Sequence, residues 1–100
     1  MGWVKEARKQ LEANGVARVR PQGGSMRGRI ESGQLVTIRR AGGEEVELGD
    51  AVFVRWKNNY ILHLVKGIEE DRILIGNNLG KANGWIGYGD VIGKVVAVED

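Results

Sequence analysis

The shortness of the apolar segments, and what separates them, most limits what this chain can fold into. Runs rich in apolar and β-branched residues occupy 16–20, 35–39, 46–48, 51–56, 60–66, 72–75 and 91–98, bounded by glycine, asparagine, acidic residues or the single proline, Pro21. Parallel neighbours would need a crossover of about a dozen residues or more, and no connection offers one with a helix in it. These seven segments, with sixteen glycines in the chain, predict a mainly β fold, a small curled antiparallel sheet or open barrel. Lys57-Asn58-Asn59 reads as a hairpin connection. Residues 76–89 read as a loop rich in glycine and asparagine.

One segment has a different period. Trp3, Val4, Ala7 and Leu11 recur at helical spacing, with Lys5, Glu6, Arg8, Lys9 and Glu12 on the other side, so 3–13 is expected to be an amphipathic helix. Asn14-Gly15 supplies its stop. No repeat or linker divides the chain, which is expected to be a single domain over 1–100, a helical lead at 1–15 and a β core at 16–98.

Composition removes several function classes. With 42% hydrophobic and 28% charged residues, one hundred residues suffice for a single core. The absence of cysteine excludes disulfides, thiolate catalysis and cysteine zinc sites, and one histidine excludes a histidine-rich metal site. No cofactor is implied. No apolar run approaches the roughly 18 residues that span a bilayer, so no membrane anchor is read and the chain is expected to be soluble and cytoplasmic. Residues 1–40 carry nine Lys or Arg against three acids, and the remainder six against ten. That basic first part, with Trp3, Trp56 and Trp85 as stacking candidates, motivates a nucleic-acid reading. The net charge of +2 and the lack of a helix-turn-helix pattern disfavour it, and core or rim packing explains the tryptophans more simply.

Two residues carry candidate chemistry. Ser25 stands between Gly23-Gly24 and Met26, just past a strand. A serine hydroxyl attacks only when a base takes its proton, and attack also requires backbone donors for the oxyanion, which glycines help to present. His63, the only histidine, lies in a strand apolar on both faces, with Tyr60, Leu62 and Leu64 on one and Ile61 and Val65 beside it on the other. Apolar surroundings favour the neutral imidazole that a general base must be. Taken singly, the serine is an ordinary glycine-rich turn and the histidine a core residue satisfied by a backbone carbonyl.

The order of boxes resembles the superfamily of signal peptidases and LexA-like self-cleaving repressors, serine endopeptidases on a small β fold. Gly23-Gly24-Ser25-Met26 is similar to its Gly-x-Ser-Met nucleophile box, and Gly33-Gln34-Leu35-Val36 to the turn and strand that follow. Val46-Glu47-Leu48-Gly49-Asp50-Ala51-Val52 resembles the second Gly-Asp box, Tyr60-Ile61-Leu62-His63-Leu64-Val65 the base strand, Gly76-Asn77-Asn78 the Gly-Asp-Asn box, and Val91-Ile92-Gly93-Lys94-Val95 the closing strand. The resemblance covers 16–98 and implies a catalytic core of that type. Histidine in place of lysine as the base puts His63 with the archaeal and endoplasmic-reticulum branch; Lys66, on the opposite face, is a poor substitute.

What the resemblance implies is an endopeptidase cleaving an extended peptide or protein substrate. Ser25 would be the nucleophile and His63 the base, with Asn77 or Asn83 orienting the ring and Gly23, Gly24 and Met26 shaping the oxyanion and substrate site. Departures bear on this. The branch has an aspartate where Asn77 stands and often a second acid near Asn83, and an amide can hold a tautomer but not stabilise an imidazolium by charge. Asp90 is a substitute source of charge, although its box matches a structural turn better. Gly28 replaces the usual proline and Gln34 the usual aspartate, which concerns turn rigidity. The second expectation is therefore a relative of weak or no activity that serves as a peptide-binding or assembly module. The oligomeric state is left open, a dimer included.

Overall fold

The computed structural model describes residues 2–23 and 26–100. Helix α1, Trp3–Asn14, ends as its sequence requires: Gly15 takes the left-handed conformation at φ 78° and donates its N–H to Leu11 O. The Arg40 guanidinium also donates to the terminal carbonyls of Leu11 and Glu12. The strands are β1 Val16–Val19, β2 Leu35–Arg40, β3 Ala51–Trp56, β4 Asn59–Glu69, β5 Arg72–Gly76, β6 Ala82–Gly87 and β7 Val91–Glu99. They form one antiparallel sheet in the order β1-β2-β7-β3-β4-β5-β6, and its two edges do not pair with each other. The β3–β4 hairpin turns through Lys57 and Asn58, both at positive φ (49° and 66°), the two-residue geometry that suits the strand twist.

Two expectations need correction. Residues 46–48 are not a strand: a 3₁₀ turn, Gly43–Glu45, precedes them, and the Asp50 carboxylate accepts the Glu47 N–H at 2.8 Å. Turn hydrogen bonds on both sides leave no ladder for so short a run. Conversely, the expected loop 76–89 contains β6, where Leu74 pairs with Trp85 and Ile73 with Ile86. There the pairing outweighs the poor strand propensity of Asn83, Gly84 and Gly87.

Strand alternation sorts the apolar residues into two cores. Ala7 and Leu11 of α1 pack with Val36, Ile38, Phe53, Leu62 and Leu64 on one face of the sheet. The other face gathers Val52, Val54, Val65, Ile73, Ile75 and Val91, with Val52, Val54, Ile73 and Ile75 fully buried. No α-helix covers that second face among the described residues; Val46 and Tyr88, outside the strands, pack with it. Each fully buried side chain contributes about 1.5–3 kcal/mol relative to exposure.

Candidate active site

β4 carries the base candidate where the sheet is incomplete. On one side its residues 59–64 pair with β3, which places His63 opposite Val52. On the other side β5 pairs only from Leu64 onward, so 59–63 have no strand neighbour there among the described residues. His63 is 8% exposed and its Nδ1 lies on the Leu62 carbonyl oxygen. A carbonyl can only accept, so this contact assigns a proton to Nδ1, and in the neutral imidazole the lone pair then lies on Nε2. Nε2 takes no hydrogen bond from any described residue. Leu62 and Leu64 lie in the helix-side core and Ile61 and Val65 in the other, so His63 is flanked by apolar residues on both faces of its strand, as its sequence predicts.

The connection from β1 to β2 is a closed loop. At its neck Gly33 N–H donates to Pro21 O (2.9 Å) and the Arg20 guanidinium to Gly33 O (2.8 Å). The Ser32 hydroxyl accepts the Gly23 N–H (3.3 Å) and donates to the Gln22 amide oxygen (3.1 Å). Gln34 caps the same turn, its side-chain oxygen accepting the Glu31 N–H at 2.8 Å. Beyond the neck, Met26 O accepts the N–H groups of Arg29 and Ile30, a single helical turn that buries Met26 and Ile30 in the helix-side core.

Two side chains tie this turn to the sheet. Asn78 Nδ2 donates to Arg27 O at 2.7 Å, and the Arg29 guanidinium donates to Gly49 O at 3.0 Å. Between them sits Gly28, with φ 97° and its N–H on the Glu31 carboxylate at 2.8 Å. A Cβ at this position would lie 2.7 Å from Asn78 Nδ2, so both backbone and packing call for glycine.

Gly24 and Ser25, the nucleophile candidate, lie outside the described residues. Their neighbours Gly23 and Met26 line one cleft with His63, Leu62, Ile30 and Trp3, about 490 Å³ including solvent at its mouth. The cleft thus brings together both flanks of Ser25 and the base candidate, which stand far apart in sequence. Its lining mixes apolar residues with the polar Gln22, Glu31 and Ser32.

The other candidates are placed differently. Asn77 Oδ1 accepts the N–H groups of Leu79 (2.9 Å) and Lys81 (3.0 Å), which shapes the β5–β6 turn. Asn83 is half-buried on β6, and neither asparagine hydrogen-bonds His63 among the described residues. The Asp90 carboxylate, in the 3₁₀ turn Tyr88–Asp90 before β7, accepts from the Arg55 guanidinium of β3 at 3.1 Å. Lys66 is exposed. Of the residues that hold the loop, Asn78 was legible only as a member of the Gly76-Asn77-Asn78 box, and nothing in the sequence singled out Ser32. No group of three or more potential metal ligands occurs among the described residues. No protein-family model, curated protein or solved structure matches the chain.

Proposed function

We propose that the chain is a small serine endopeptidase of the signal-peptidase and LexA-like type, with Ser25 as nucleophile and His63 as general base. The observation that supports it is the shared cleft: His63 lines it together with Gly23 and Met26, the flanks of Ser25. In this reading Nε2 of His63 takes the Ser25 hydroxyl proton as Oγ bonds to the peptide carbonyl carbon. The imidazolium returns that proton to the amine as the C–N bond breaks, and water then releases the acyl group by the same route. The Leu62 carbonyl holds Nδ1–H and so fixes the tautomer, a task that an aspartate or asparagine side chain performs in related triads. Gly23 N–H is bonded to Ser32, which leaves the N–H groups from Gly24 to Met26 as the oxyanion donors of this reading. The substrate is an extended peptide laid along the open edge of β4 at 59–63.

A second reading, a peptide-binding module without turnover, is favoured by one observation: Asn77 spends its side-chain oxygen on backbone amides, and no carboxylate hydrogen-bonds His63 among the described residues. Incubation with extended peptides, followed by mass spectrometry of products, separates the two. The endopeptidase reading expects cleavage that falls by about a thousandfold or more in Ser25→Ala. Binding of the same peptides with no cleavage by the folded protein establishes the module instead.

A further inference from the structure

A second, wider groove adjoins the cleft. Its rim carries Lys5, Arg8 and Lys9 of α1 and Arg40 of β2, against one acid, Glu12. Its floor is apolar, with Leu11, Ala41, Val91 and Ile92. None of the four cations forms an ion pair among the described residues, whereas Arg18, Arg39, Arg55, Arg72 and Lys94 all do. The Arg8 guanidinium lies 4.2 Å from the centre of the Tyr60 ring, so Tyr60 carries the groove to β4.

The groove and the cleft have no lining residue in common, but the same two elements, α1 and β4, contribute to both. Trp3 of α1 lines the cleft and Lys5, two residues on, lines the groove; Ile61 lines the cleft and Tyr60, its neighbour, lines the groove. The Trp3, Phe53 and Tyr60 rings bridge the two sites, with successive centroids 5.8 and 5.9 Å apart. The open edge of β4 runs from His63 to Asn59 past this junction. At about 3.3 Å per residue, Tyr60 stands roughly 10 Å along the strand from His63.

We infer that the groove receives an acidic flank of the peptide whose backbone lies beside His63, so that the chain selects peptides bearing glutamate or aspartate about three to five residues from the bond in the cleft. This rests on the endopeptidase reading for the bond in the cleft, but not for the binding. Charge complementarity names the occupant: Arg40 caps α1 and Arg8 lies on Tyr60, but Lys5 and Lys9 are exposed and in no ion pair among the described residues, so the rim attracts carboxylates, and an apolar floor accepts the aliphatic residues between them. Nucleic acid fits less well. Trp3 is packed on Phe53, and Tyr60 already has a cation on its ring, so the groove has no open stacking platform.

Fluorescence anisotropy of Ser25→Ala protein tests this with a short fluorescein-labelled apolar peptide carrying a run of glutamates at one end, its glutamine counterpart, both orientations of each, and a single-stranded oligonucleotide. The glutamate peptide should bind about tenfold or more tightly than the glutamine one, and lose that advantage in moderate salt. Lys5→Glu with Lys9→Glu, at exposed helix positions away from the core, should abolish the preference while leaving the melting temperature unchanged within a few degrees. Equal binding of glutamate and glutamine peptides, or tighter binding of the oligonucleotide, overturns the inference. Preferential binding of the glutamate peptide without its cleavage by the unsubstituted protein upholds the groove and removes the endopeptidase reading. Cleavage of both peptides at equal efficiency does the reverse.

Discussion

The two sides of the cleft are built by different means. His63 belongs to a strand laddered to β3 and sits between two cores, so its position follows from the fold as a whole. The segments flanking Ser25 instead bury only Met26 and Ile30 in the helix-side core and are otherwise held by one backbone bond at the neck and a few side-chain hydrogen bonds: Asn78 to Arg27, Arg29 to Gly49 and Gly23 to Ser32. Backbone ladders and buried area are cooperative, and single side-chain bonds are individually worth about 0.5–1.5 kcal/mol. The proposed base is therefore coupled to global stability, and the loop that carries the proposed nucleophile can be loosened at these bonds while the sheet stays folded.

The largest expected effect tests the first half of that contrast. Phe53→Ala empties a fully buried site in register with Leu62, next to His63, and should cost about 3–5 kcal/mol in urea unfolding. A small cost there would mean that the base side is not held by the core.

Gly28→Ala comes next. It forces a side chain into left-handed backbone and against Asn78, and should cost about 1–3 kcal/mol, with a larger proportional loss of peptide cleavage. Asn78→Ala removes only the bond to Arg27 O and should cost about 1 kcal/mol while slowing cleavage about tenfold. Asn78→Asp should behave alike, because a carboxylate cannot donate. The double variant Gly28→Ala with Asn78→Ala should be less damaging than the sum of the two, since the clash disappears with the amide. Full additivity would sever the proposed link between the two residues.

Ser32→Ala gives the smallest shift, below about 1 kcal/mol, since its hydroxyl is exposed and its partners, Gly23 N–H and Gln22, can turn to water. Its effect on cleavage should still exceed its effect on the melting temperature. Equal proportional effects would show that the loop and the sheet unfold as one unit.

Most of the architecture was legible because alternation and helical spacing are local signals. α1, the edges of β3 and the sorting of Tyr60, Leu62 and Leu64 from Ile61, His63 and Val65 follow from residue spacing alone. β6 was not legible: Asn83, Gly84 and Gly87 read as loop until Leu74 and Ile73 supply partners, and pairing is a non-local property. Residues 46–48 failed in the opposite sense, alternating like a strand with no strand to meet. At the site, His63 and the flanks of Ser25 could be singled out from sequence, but their common cleft could not. Which asparagine does what was also hidden, since Asn77 and Asn78 are adjacent and identical, and only the turn of the chain assigns one to its own loop and the other to Arg27.

The central claim, that Ser25 and His63 act as nucleophile and base across one cleft, is tested most directly by the rate of fluorophosphonate labelling in folded protein. The expected result is a single adduct on Ser25, slowed about a hundredfold or more in His63→Gln of unchanged melting temperature, and retained in Asn77→Ala because Leu62 O holds the imidazole. No adduct on the intact protein, or an adduct formed as fast in His63→Gln, would contradict it.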